Sequence, residues 1–504
     1  MQLTLINYTP LDNKSTFVSQ KHFLLTLPLA IITIMLINLM SGCALNLATG
    51  ERHLNFTSEN QEIAMGQQAD KEISTSIGLY SDKSLQRYIQ KLGTKLALTS
   101  ERPDLPWTFR IVDDPGVNAF ALPGGYIYVT RGILTHLSTE AELAGVLGHE
   151  IGHVTAQHSV HSMATQQLTQ LGLGVGMILR PELQQYAQLA NAGLGLLFLK
   201  FSRDDESQAD ALGIRYMTRA GSDPHQLSDV MTMLNRVSKA GNEGGRVPEW
   251  LATHPNPDNR REHIAEIIST MNSKATGGTI NRKIYLQQID GMVFGQNPRE
   301  GFFRGNTFLH PDLKFRFEYP SGWQTMNQKQ AVVAVSKKQD AIIAITFSNK
   351  KSSREAANEF FAQNGLTAGQ VTPGKINGFS AVSGGFTAQT EQGIIQGFAA
   401  FVDYKKNVYQ LLAYASQVNW NGYEPELMQS VNSFNRLTNK SILAVKPQRL
   451  TIVKINQNMS LQEFNRKYPS GVSLEVLAII NQVEPNAQLS AGQRVKRVVG
   501  KTFK

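Results

Sequence analysis

The sequence predicts an α+β protein built as three units: a mainly helical region with a small sheet to about residue 272, a strand-rich α+β domain over 301–440, and a small unit over 445–504. Three observations carry this. Leu85, Tyr88, Ile89, Leu92 and Leu96 recur at three- and four-residue steps, the period of one helix face. From residue 308 the pattern changes to alternation, clearest in Phe315-Arg316-Phe317-Glu318-Tyr319. Between the two, composition shifts near 273, and Gly277-Gly278 lies in a connecting segment over 273–300. With 41% hydrophobic and 18% charged residues, the chain has apolar material for several cores, which excludes a wholly disordered polymer.

At the N-terminus, residues 23–40 form an uncharged apolar run behind Lys14 and Lys21, just long enough to span a bilayer. Met40-Ser41-Gly42-Cys43 follows it and resembles the lipobox of bacterial lipoproteins. That resemblance implies a signal peptide over 1–42, a lipid on Cys43, and attachment to a membrane through that lipid. Ala44 resembles the default for outer-membrane sorting; the alternative is an uncleaved inner-membrane anchor facing the periplasm. Cys43 is the single cysteine, so a disulfide framework and any multi-cysteine metal site are excluded. The formal charge of +9 is concentrated at the far end, where 441–504 holds ten Lys/Arg and three acids. No basic helix or aromatic-interleaved stripe accompanies it, so nucleic acid is not an expected partner.

The remaining elements follow in order. Residues 56–100 read as helical, and a strand pair is expected at 107–112 and 125–129 around the turn residues Asp113-Asp114-Pro115-Gly116. Thr139-x-x-Glu142 is a capping-box signature opening a helix to about His158. Gly- and Leu-rich stretches at 171–178 and 193–199 are too short to span a membrane and read as core helices, a mobile hairpin or a lipid-touching element. A loop over 241–258 precedes a helix at 259–272. Further on, alternating runs at 331–347 and 396–415 flank helical stretches at 353–364 and 423–435, and Pro447 opens the last unit. His310 has no second residue at metal spacing and is read as structural.

The chemistry is carried by His149-Glu150-Ile151-Gly152-His153, an HExxH motif on the capped helix. Four residues turn a helix by about 400°, so His149 and His153 stand about 40° apart, one turn above each other, and can reach one zinc ion. Glu150, about 100° around, sits beside the metal without ligating it, where it can take a proton from water. Catalytic zinc needs a third protein ligand. Ala156 and Ser159 occupy the places of a metzincin's Gly and His, which excludes that subclass. His158 lies about 180° around the helix from His149. A carboxylate from a second helix remains. Glu206 and Asp210 lie one turn apart, with Glu206 able to ligate and Asp210 able to fix the tautomer of a ligating histidine. Spacing leaves Asp205 as a rival ligand, and a solvated acidic face as the plain alternative.

Together with Asn118-Ala119-Phe120-Ala121-Leu122-Pro123-Gly124-Gly125, these elements resemble the HtpX/BepA-like zinc metallopeptidases over about residues 55–270. The resemblance implies a zincin-type peptidase domain over 43–272, a gluzincin with one zinc held by His149, His153 and Glu206. Glu150 would be the general base on a zinc-bound water, and Asp210 would stand behind a ligand. Gly124, Gly125 and Tyr126 would belong to a strand bordering the cleft, whose edge could pair with the backbone of an extended substrate. Thr253-His254-Pro255-Asn256-Pro257-Asp258-Asn259-Arg260 matches a further family element. Carried over, His254 is a removable fourth ligand or a transition-state hydrogen-bond donor; an ordinary loop histidine is the other reading.

Residues 295–323 resemble a region that follows the peptidase in some lipoprotein members, and 301–440 resembles PsbP-like domains. Residues 449–498 resemble a divergent LysM module of βααβ order, with Leu461, Phe464, Val472, Leu474 and Leu477 in its core and Asn481 at its asparagine position. Asn458-Met459 replaces the usual Gly-Asp, so the fold is expected while glycan binding is left open. The function these resemblances imply is zinc-dependent hydrolysis of misfolded or stalled envelope proteins from the periplasmic side of the outer membrane. Peptidoglycan or the outer-membrane assembly machinery would be further partners. The alternatives are a non-catalytic assembly factor or chaperone with its zinc site closed by His254, and a peptidoglycan-binding scaffold.

Overall fold

The computed structural model describes residues 43–54, 57–163, 201–242, 250, 253–254, 257–271, 277–390 and 393–500. The expected signal peptide and the apolar stretches at 171–178 and 193–199 lie outside the described residues. The protein is α+β. Among the described residues no helix is long and apolar enough to cross a membrane.

The first unit begins with a short antiparallel pair, β1 (Cys43–Leu45) and β2 (Arg52–Leu54). Helix α1 (Glu59–Ser76) starts at a Ser58–Gln61 capping box, and α2 (Lys83–Ala97) at Asp82, whose carboxylate accepts from two amides of the first turn. Leu85, Ile89, Leu92 and Leu96, four of the residues that set the helical period, are buried. The expected strand pair is a three-stranded sheet. Strand β3 (Thr108–Val112) lies parallel to β5 (Tyr126–Thr130), and β4 (Ala119–Leu122) returns antiparallel along the other side of β5. The β4–β5 turn presses on α1. Gly124 adopts φ +75°, and a Cβ there would stand 2.5 Å from Ile63 Cα.

A short helix α3 (Arg131–His136) leads into α4 (Glu140–Thr155), which is buried from Ala141 through Thr155. Its cap differs from the simple box. Thr139 Oγ1 accepts from the Glu142 amide, but the Glu142 carboxylate accepts from the Ser138 amide. Helix α5 (Arg203–Arg219) crosses α4 at backbone range: a Cβ on Gly152 would approach the Ala209 carbonyl oxygen to 2.9 Å. Helices α6 (His225–Asn242), α7 (Pro257–Thr270) and α8 (Arg282–Ile289) complete the unit. Tyr285, Leu286 and Ile289 of α8, with Met292 and Val293, join the same core as α2 and α4, so the expected connecting segment is in part core of the first unit. The apolar face of α8 requires that burial.

In the second unit β6 (Phe302–Arg304), β7 (Thr307–His310) and β8 (Phe315–Glu318) form an antiparallel meander. Strands β9 (Gln324–Asn327), β10 (Ala331–Val335) and β11 (Ala341–Ser348) precede α9 (Ser353–Phe361). Then come β12 (Leu366–Ile376), β13 (Phe379–Thr390), β14 (Gly393–Tyr404) and β15 (Asn407–Ser416), and helix α10 (Trp420–Asn432). Seven strands pair antiparallel in the order β12-β13-β14-β15-β11-β10-β9, while β16 (Asn435–Arg436) closes the four-stranded sheet β16-β8-β7-β6. Short helix α11 (Lys440–Leu443) leads out.

The third unit runs β17 (Arg449–Lys454), β18 (Met459–Ser460), α12 (Leu461–Lys467), α13 (Leu474–Asn481), β19 (Gln488–Leu489) and β20 (Arg494–Val499), with β17 paired to β20 and β18 to β19. It has its own apolar core, yet it is docked on the first unit. Leu450 belongs to the first unit's core. The Lys496 ammonium is fully buried and donates to the carbonyls of Thr135, His136 and Leu137 at the end of α3. Gln482 Nε2 donates to Glu142 at the start of α4.

Candidate metal centre

Helix α4 supplies His149, Glu150 and His153, α5 supplies Glu206 and Asp210, and the segment before α7 supplies His254; all six side chains are buried. The close α4–α5 crossing at Gly152 brings the two helices' polar residues together. His149 Nε2 lies 3.0 Å from His153 Nε2 and 3.3 Å from His254 Nδ1. His254 Nδ1 lies 2.8 Å from Glu206 Oε1, and Glu206 oxygens stand 3.6 Å from the Nε2 atoms of His149 and His153. One donor atom from each of these four residues falls within 4.8 Å of the others.

Hydrogen bonds behind the cluster set the histidine tautomers. His149 Nδ1 donates to Asp210 Oδ1 at 3.0 Å, leaving the Nε2 lone pair facing inward. Asp210 is itself gripped by Arg260 through Nε and Nη2, at 2.8 and 2.6 Å. Although burial opposes its charge, Arg260 and His149 hold the Asp210 carboxyl far below the ordinary range. On the other side, His158 Nε2 donates to Gln208 Oε1 at 3.2 Å, so its Nδ1 accepts from His153 Nδ1 at 2.9 Å. That leaves His153 Nε2 as a second inward lone pair. Burial, then His149 and His158, push His153 well down, which keeps it neutral.

Glu206 is held below its usual pKa against the effect of burial, chiefly by His254 and Arg260; Arg260 Nη1 is 2.8 Å from Glu206 Oε2. Glu150 is the opposite case. Burial raises it, while His254, His149 and a hydrogen bond from the Trp250 side chain lower it. Aromatic rings wall the site: Trp250 stacks on His254 with centroids 4.6 Å apart, and Phe201 stacks on His153 at 4.1 Å.

The donor set fits zinc. Ligand atoms about 2.0–2.1 Å from a tetrahedral zinc stand roughly 3.4 Å apart, and two neutral imidazoles with a carboxylate are a known catalytic ligand set. The separations above, 2.8 to 3.6 Å, bracket that spacing.

Two expectations change, and one rival ligand falls. Asp205 is no ligand: its carboxylate accepts from the Ser202 amide and hydroxyl in the capping box of α5. His158 is not turned away, because α4 stops at Thr155 and Gln157 takes φ +59°, redirecting the chain so that His158 backs His153. Gly124, Gly125 and Tyr126 do not lie on an edge. Tyr126 opens the central strand and pairs with Thr108 on one side and Leu122 on the other, so the strand with an unpaired edge beside them is β4. Arg260, Trp250 and Phe201 were not singled out for the site by sequence. Arg260 stood in the quoted 253–260 element, but nothing in the spacing says which carboxylate it meets.

Residues 83–268 match the profile of Peptidase family M48. The beta-barrel assembly-enhancing protease of Yersinia pestis is 31% identical over 244 residues, 47% of this chain and 49% of that protein. The mitochondrial metalloendopeptidase OMA1 of Schizosaccharomyces pombe is 32% identical over 222 residues, 43% of this chain and 64% of that one. The chain thus spans about half the length of the first of these relatives. A solved structure of PsbP from Synechocystis sp. PCC 6803 covers 26% of this chain at 13% identity, but its TM-score of 0.22 carries no argument about the second unit.

Proposed function

We propose that the protein is a zinc-dependent endopeptidase, a reading supported by the match of residues 83–268 to Peptidase family M48. The observation that supports it most directly is the convergence of His149, His153, Glu206 and His254 donor atoms within 4.8 Å, beside the buried carboxyl of Glu150. His149, His153 and Glu206 hold the ion, with Asp210 and His158 orienting the two imidazoles. Zinc, when bound, supplies a Lewis acid for the scissile carbonyl and makes water a stronger acid. Glu150 takes the proton of the attacking water and returns it to the leaving amine. Substrate backbone adds along the free edge of β4, next to α4.

His254 acts as a removable fourth donor. Its Nδ1 occupies the place between His149 and Glu206 that an incoming carbonyl needs. In this reading the enzyme is latent until His254 withdraws. This accommodates part of the second reading, an assembly factor with a closed site, as a resting state.

The substrates in this reading are envelope proteins. The relative whose name refers to beta-barrel assembly supports a role beside the outer-membrane assembly machinery. Lipidation at Cys43 would hold the enzyme on the periplasmic side of that membrane, and the β17-β18-α12-α13-β19-β20 order of the third unit supports the LysM-like reading. Casein hydrolysis by the purified chain, abolished by a chelator and restored by zinc, is the test. Chelator-resistant hydrolysis, or none from wild type and His254→Ala alike, removes the proposal.

A further inference from the structure

The outward face of the four-stranded sheet in the second unit borders a cleft of about 630 Å³, lined by none of the metal-centre residues. Register places its residues. Arg316 pairs with Leu309 and with Asn435, and Arg304 pairs with Thr307. By strand alternation Arg304, Thr307, Leu309 and Arg316 share one face. Phe308, Phe315 and Phe317 take the other and fill the second unit's core. The segment after β16 forms the facing wall through Leu437 and Ile442.

Charge at this cleft is unbalanced. Arg316 pairs with Glu318, but its Nε is buried and donates to nothing among the described residues. Arg304 and Arg436 are exposed at the rim, and neither has a carboxylate partner among the described residues. Burial, then Lys314 and Arg436, push the Lys405 ammonium down, so Arg436 adds to the positive charge on this side of the unit. Against this rim stands an apolar floor, with Leu309 and Leu437 buried. A volume of 630 Å³ falls within the roughly 300–1,000 Å³ of small-ligand sites. Guanidinium forks match the oxygens of carboxylates and phosphates.

We propose that this cleft binds an amphiphilic oxyanion, a phosphate monoester or carboxylate on a short apolar stem. Arg304 and Arg436 grip the oxyanion while Leu309, Leu437 and Ile442 cover the stem. The acidic group is recognised by charge and fork geometry, the stem by packing against the floor.

The test is calorimetric titration of the full chain with hexyl phosphate, hexanoate, inorganic phosphate and hexanol. Hexyl phosphate, hexanoate or both are expected to saturate one site, with inorganic phosphate and hexanol at least about tenfold weaker. The tighter of the two amphiphiles identifies the oxyanion. Arg304→Gln/Arg436→Gln, two exposed changes, should weaken binding by about tenfold or more with an unchanged melting temperature. That variant also separates this site from anion binding at the metal centre, which it leaves intact. Failure of both amphiphiles to bind overturns the proposal. So does equal binding of hexanol or inorganic phosphate, or binding unaltered in the double variant.

Discussion

His254 Nδ1 lies 2.8 Å from Glu206 Oε1, so two residues 48 positions apart meet within the metal centre. Trp250, stacked on the His254 ring, holds the histidine there. Removing the ring opens the coordination position without touching His149, His153 or Glu206. His254→Ala is therefore expected to raise casein turnover several-fold at unchanged zinc content. A fall in turnover would instead make His254 a donor to the transition state.

Glu150 is buried beside His254 and His149, and glutamine keeps its shape while removing the proton acceptor. Glu150→Gln should keep one zinc by elemental analysis and lose at least about 100-fold in peptidase rate. His149→Ala, by contrast, should lose the metal. Full activity in Glu150→Gln would end the general-base assignment.

Asp210 fixes the tautomer of His149 and is fixed in turn by Arg260. Asp210→Asn presents a mixed donor–acceptor amide to a ring N–H that needs an acceptor. Zinc affinity, measured by chelator competition, should fall about 10–100-fold. An unchanged affinity would show that the His149 orientation is set elsewhere.

Stability should depend on pH through His136. Burial pushes this imidazole down to about 4, opposed by its bond to the Gly132 carbonyl and assisted by Lys496. The unfolded chain takes up the same proton near 6.5, so between about 6.5 and 4 the unfolded state binds more protons. Stability is complete above that window and falls as pH is lowered through it. Urea midpoints at pH 7.5 and 5 should show the drop, and His136→Asn should reduce it. His310, also pushed down to about 4, preserves part of the slope.

The third unit's docking rests on Lys496, whose ammonium donates to three carbonyls at the end of α3 and offsets the buried Glu142 charge. Lys496→Met should destabilise the whole chain by about 1–3 kcal/mol, because the buried carbonyls at the end of α3 lose their donor. Two separate unfolding transitions with the first unit unaffected would show that the contact is incidental.

What local pattern could reveal, it did. The i, i+4 histidines had to share a helix face, and the burial of Leu85, Ile89, Leu92 and Leu96 follows their spacing. Strand β12 shows the limit. Its Gly369, Pro373 and Gly374 break any alternation, yet it pairs along the length of β13 at the sheet edge, where an exposed strand tolerates proline and needs no apolar face. Periodicity reports burial, and an edge strand has little of it.

The primary structure by itself determined that two imidazoles and a carboxylate would sit on one turn of helix, since helical geometry fixes their relation within five residues. Only the folded chain decided between Asp205 and Glu206, brought His158 behind His153, and placed Arg260 on Asp210. Those relations depend on where α4 ends, how closely two helix backbones cross at Gly152, and which strand is left unpaired. Each is a consequence of packing between segments far apart in the chain, on which local spacing places no constraint.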